Sequence, residues 1–118
     1  MPILKGDERI LLQDAASFGR LGKGTLMLTS RRLIFERQTG FISKSTETLL
    51  DLPLGDIQNV KVEGLIGKQL VVEAQLLNVT SAIRSALNCQ PGMVVKLGFS
   101  VSNPQGWDVQ IRGAAQNV

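Results

Sequence analysis

A chain of 118 residues, 43% hydrophobic and 19% charged, has the material for one folded domain with its own core and does not read as disordered. The net charge of +3 is too small, and the aromatics Phe18, Phe35, Phe41, Phe99 and Trp107 too few, for a stacking nucleic-acid surface. With no histidine, the commonest acid–base group and metal ligand is missing; with Cys89 alone, neither an internal disulfide nor a thiolate zinc site can form.

The ten carboxylates are scattered and form no spaced ligand set. "GRLGKG" at 19–24 lacks the Lys-Ser/Thr pair of a phosphate-cradling loop. The expectation is therefore a protein that is not an enzyme and that uses no metal and no cofactor. No run approaches the ~20 apolar residues of a spanning helix, so no transmembrane segment is expected. The opening "MPILKGDERILL" has no secretory pattern, which makes a cytoplasmic location the expectation. "NVT" at 78–80 matches a glycosylation acceptor and is read as chance in that setting.

Period-two alternation, the mark of strands, starts early. "ERILLQ" puts Ile10 and Leu12 on one face and Leu11 on the other. "SFGRLGKG" is a glycine-rich loop. "GTLMLT" and "RLIFER" form a hairpin whose register can be written from the residues: Leu28 faces Leu33, Met27 faces Ile34 and Leu26 faces Phe35 across Thr29–Arg32. Thr29 and Ser30 suit the turn because their hydroxyls bond nearby backbone groups. Arg31 and Arg32 are read as solvated turn residues rather than as an anion site. Met27 and Ile34 point outward.

"TGFISKSTE" is a polar loop with Phe41 and Ile42 at its tip, and "TLLDL" a short strand. After the break at Pro53, Gly55 and Asp56 come "DIQNVKVE" and "QLVVEAQ", the latter with Leu70, Val72 and Ala74 inward. The rhythm changes over 76–92, where Val79, Ile83 and Leu87 recur every four residues and Asn78, Thr80 or Ser81 can cap a short helix. "MVVKLGFSV" restores alternation. Finally Asn103 and Pro104 open a helix with Trp107, Ile111, Ala114 and Val118 on one stripe, weakened by Gly106 and Gly113. The predicted fold is mainly β: one domain over 1–118, a seven-strand antiparallel barrel or orthogonal sandwich capped by a C-terminal α-helix, with a helical insertion at about 76–92 before the last strand.

"GTLMLTSRRLIF", "LPLGDIQNVKVE" and "VKLGFSVSNPQGWDVQI" together resemble the GRAM and bacterial PH-like families, in their central hairpin, following strand, and last strand with its tryptophan-bearing helix. The GRAM-like ubiquitin-binding domains of ESCRT proteins resemble it too. The 76–92 insertion departs from the pattern. The resemblance implies a PH-like barrel that binds phosphoinositides or proteins, or serves in assembly, and it places the 17–24 loop at the binding mouth.

Two functions from that list are carried forward. The first is weak peripheral binding of anionic membrane lipid, with Arg20, Lys23, Arg37 and Lys44 as the basic headgroup rim and Phe18, Leu21, Phe41 and Ile42 as shallow apolar tips. The alternative is a protein-interaction module without lipid binding, of the ubiquitin-type or an assembly kind, with oligomerisation left open. In that reading Met27, Ile34, Phe41, Ile42 and the insertion's Leu76, Leu77 and Ile83 offer apolar surface.

Overall fold

The computed structural model describes residues 6–39, 45–64, 67–77 and 79–116, the side chains of Arg20, Thr39 and Ser45 excepted. Seven strands form, β1 (Ile10–Ser17), β2 (Lys23–Thr29), β3 (Arg32–Thr39), β4 (Ser45–Pro53), β5 (Ile57–Glu63), β6 (Gln69–Gln75) and β7 (Val94–Phe99), with β4 taking Ser45–Glu47 from the expected loop because they pair with β3. They make two antiparallel sheets, β1-β2-β3-β4 and β5-β6-β7. Ser17 and Ser100 exchange backbone hydrogen bonds of 3.0 and 2.8 Å and join the sheets at one corner. A 3-10 turn at Leu54–Asp56 carries the chain from one sheet to the other.

The hairpin register is the one written from the sequence: Leu28↔Leu33, Met27↔Ile34, Leu26↔Phe35. One face of each strand feeds a shared core between the sheets. The first sheet supplies Leu26, Leu28, Leu33, Phe35, Leu50 and Leu52; the second supplies Val60, Leu70, Val72, Ala74, Leu97 and Phe99. A one-residue slip would turn either set outward, so apolar burial itself holds the register.

Both helices form for the reasons legible in their caps. In α1 (Ser81–Leu87) the Thr80 hydroxyl accepts the Ile83 N–H at 3.3 Å, and Asn88 ends the helix in the left-handed region at φ 51°. It is too short to stand alone, and it packs on the 3-10 turn Gly19–Leu21 and on β4, burying Ile83. In α2 (Pro104–Gln116) the Asn103 side chain accepts the Gly106 N–H at 3.1 Å. Trp107, Ile111 and Ala114 are buried against the second sheet and the 54–56 turn. Asn78 and Val118 lie outside the described residues.

Three expectations change. Met27 and Ile34 do lie on the face opposite the core, but neither is exposed at all, so they are no open patch. β1 does not alternate cleanly at its start, because a register shift between Ile10 and Leu12 leaves both Ile10 and Leu11 exposed and only Leu12 against the core. Leu76 and Ile83 are core residues, which leaves Leu77 as the exposed apolar residue of those three.

Candidate functional site

The hairpin's open end holds Phe18, Leu21, Lys23 and Arg37 of the residues that the sequence marks for binding. After β1 the chain makes the 3-10 turn Gly19–Leu21, closed by Phe18 N–H to Gly22 C=O at 2.9 Å and Leu21 N–H to Phe18 C=O at 2.9 Å. Gly22 sits at φ 85°, a conformation that glycine alone adopts cheaply. At Gly24 a side chain would collide with the Glu36 carbonyl and the Phe35 ring, so β2 and β3 can approach here only because the residue is glycine.

Phe18 and Leu21 are not apolar tips. They are 2% and 8% exposed. The Phe18 ring lies 5.3 Å from Phe35 and 4.4 Å from Phe99, edge-on to the first and tilted on the second. Phe18 continues the inward alternation of Leu12 and Ala16 one residue beyond the strand, and that continuation draws the loop down onto the core. Phe41, Ile42 and Lys44 lie outside the described residues, as does the side chain of Arg20.

Lys23 and Arg37, in contrast, are brought together. Both line a cleft of about 410 Å3 on the first sheet, with Gln13, Gly24, Thr25, Glu36, Gln38 and Thr46. The register explains the lining: Thr25 faces Glu36 and Gln38 faces Thr46 across neighbouring strands, on the side away from the core. Arg37 donates to the Leu21 carbonyl at 3.1 Å and to Glu47 at 3.4 Å, which fixes it against the 19–21 turn. Lys23 is exposed, and among the described residues no carboxylate pairs with it. Glu36 is buried at the cleft and Glu47 stands at Arg37, so the charge there is close to balanced.

The turn end of the same hairpin is built differently. Arg32 is not solvated. Its Nε and Nη2 donate to both oxygens of Glu8 at 2.9 and 3.2 Å, and its Nη1 to Asp51 at 2.7 Å. The Glu8 side chain is fully buried and that of Arg32 is 16% exposed. The Glu8 hydrogen bond, reinforced by Asp51 and opposed by burial, holds the Arg32 guanidinium above the usual arginine range. Arg31 pairs with Asp7. The Thr29 hydroxyl donates to Glu8 and accepts the N–H groups of Arg31 and Arg32 at 3.1 and 3.0 Å. Ser30 and Arg9 bond through their backbones at 2.8 Å. The arginine pair thus binds anions, and those anions are the chain's own carboxylates.

Elsewhere Cys89 is a buried free thiol. No cluster of three or more metal-ligating side chains occurs among the described residues. None of the described helices is long and apolar enough to cross a membrane. Leu77, Met93 and Val94 are exposed at one corner, where Leu76 bonds the backbone of Gly92 and Met93 and Gln75 faces Val94. Comparison with protein-family models and with curated proteins finds no match.

Proposed function

We propose that the chain is a non-catalytic binding module of PH-like, GRAM-type architecture, and that its Lys23–Arg37 cleft meets anionic lipid headgroups. The observation that carries this reading is Lys23: an exposed cation with no described carboxylate against it, beside Arg37 and a wall of amides and hydroxyls. Gln13, Thr25, Gln38 and Thr46 can donate to phosphate oxygens where Lys23 supplies charge, while Arg37, held by the Leu21 carbonyl and Glu47, lies at the edge of the cleft. With Phe18 and Leu21 in the core, the 17–24 loop has no wedge to insert. Contact is then adsorption through charge, worth roughly 1 kcal/mol for each cation near an anionic surface. Glu36 and Glu47 weaken it further, so binding is weak, reversible and lost as salt is raised.

Co-sedimentation tests this, with neutral vesicles and vesicles containing phosphatidylserine or a phosphoinositide. The wild-type chain should pellet only with the anionic vesicles and less so at high salt, and Lys23→Glu should stay in the supernatant. Equal behaviour of both chains sinks the headgroup reading.

A second reading has its own support. Leu77, Met93 and Val94 are about half-exposed at one corner of the second sheet, apolar surface of the kind that marks a protein partner or an assembly contact.

A further inference from the structure

A groove of about 430 Å3 runs between the start of β1 and the last turns of α2, lined by Arg9, Leu11, Ser30, Gln110, Gly113 and Ala114. Its volume is that of sites which hold side chains of a ligand, roughly 300–1,000 Å3. The register shift between Ile10 and Leu12 leaves Ile10 and Leu11 exposed, and Leu11, 39% exposed, lines the groove; Ile10 and Val109, 40% and 68% exposed, are outside its lining. The helix wall is low because Gly113 has no side chain. A Cβ there would meet nothing within 4 Å, so internal packing does not require glycine. Glycine inside a helix nonetheless costs roughly 1 kcal/mol against alanine. The lining carries one charge, the Arg9 guanidinium, and no described carboxylate pairs with it. Arg31 and Arg32 next door are already taken by Asp7, Glu8 and Asp51.

From this we infer that the β1–α2 groove docks a short segment of a partner protein carrying aliphatic side chains and a carboxylate. The aliphatic groups lie along Leu11 and Ala114, the segment's backbone passes over Gly113, and the carboxylate meets Arg9. Ser30 and Gln110 offer hydrogen bonds at the rim. The inference rests on the protein-partner reading and gives it a site away from the Leu77 corner.

The probe is a library of random twelve-residue peptides displayed on phage and panned on the full chain. Selected peptides are then synthesised and their binding measured by fluorescence anisotropy. The expected selection carries Asp or Glu beside Leu, Ile or Val. Gly113→Leu should lower affinity at least tenfold by filling the groove. It should not unfold the protein, since leucine favours helix over glycine, and a thermal melt checks this. Arg9→Glu should lower affinity similarly, and panning on that variant should select Lys or Arg in place of the acid. Leu77→Ser should change nothing. Peptides indifferent to Gly113→Leu but weakened by Leu77→Ser overturn the groove and leave the partner reading standing. A library that enriches nothing overturns both. Self-association in sedimentation velocity that Gly113→Leu abolishes overturns the partner segment in favour of a second copy of the chain.

Discussion

At the Ser30–Arg31 turn of the β2–β3 hairpin, two arginines are met by three carboxylates, Asp7, Glu8 and Asp51. At the other end of the same two strands, about 20 Å away at ~3.3 Å per residue, Lys23 meets none among the described residues. Both ends are basic in sequence. What separates them is whether folding delivers an acid. The segment before β1 returns over the turn and seats Glu8 under Arg32, while the loop at the far end spends its apolar residues on the core and leaves its lysine outside. One end is therefore fastened by charge and the other by Phe18, and of the cations on the two strands themselves only Lys23, at the second end, has no described carboxylate against it.

The largest expected effect strikes the fastening of the open end. Phe18→Ala removes a buried ring and should destabilise the fold by about 3–5 kcal/mol. Urea unfolding measures it. A variant of unchanged stability that loses vesicle binding would restore Phe18 as a membrane wedge.

Next comes the turn end. Arg32→Met removes both guanidinium hydrogen bonds from the buried Glu8 carboxylate and should cost about 3 kcal/mol, with part of the loss recovered in the double variant Glu8→Leu/Arg32→Met. A double variant that loses in urea the sum of what Arg32→Met and Glu8→Leu lose singly would show that the pair is not coupled.

Lys23→Glu sharpens the contrast from the other side. Stability should stay within about 0.5 kcal/mol of wild type, as for an exposed residue with no partner. Binding to anionic vesicles should fall about tenfold or more, since a full charge is reversed near the surface.

The smallest effect lies on the second sheet, which serves as the solvated reference for both ends. Lys61 is raised by hydrogen bonds from its ammonium to Glu63 and then Glu73, and Glu63 is lowered chiefly by Lys61. The raised lysine contributes stability that is present below its ordinary 10.5 and lost as pH rises through the higher folded value. The lowered carboxylate contributes above its ordinary 4.5 and loses its part as pH falls through the lower folded value. Lys61→Met should remove both edges from the pH–stability curve and change little at neutral pH, as expected of an exposed ion pair.

Most strand positions, the hairpin register and both capped helices were legible because each rests on local pattern: period two, a cap among Asn78, Thr80 and Ser81 that the structure resolves to Thr80, Asn103 as the other cap, and Pro104 at a first helical position. The pairing of Arg32 with Glu8 was not, because no local pattern reports that residues 24 positions apart will meet. The burial of Phe18 could have been read by continuing the alternation Leu12, Ala16, Phe18 into the glycine-rich loop. Composition pointed the other way, since glycine and basic residues usually mean surface. For Met27 and Ile34, alternation tells the face and says nothing of whether that face is covered. In the candidate site, Lys23 and Arg37 share a cleft because Lys23 opens β2 and Arg37 lies near the end of β3, which the hairpin register already implies.

The bridge between Ser17 and Ser100 has a temporal side. It joins positions roughly eighty residues apart, so its closure costs more chain entropy than that of any hairpin. The β2–β3 hairpin needs only a two-residue connection, and hairpins of this kind form in about 1–10 μs. Local pairing therefore comes first, and the seam at Ser17–Ser100 closes late. A seam that is absent from the transition state acts on the rate of opening rather than of closing. Substitutions that weaken this corner should therefore speed unfolding more than they slow folding.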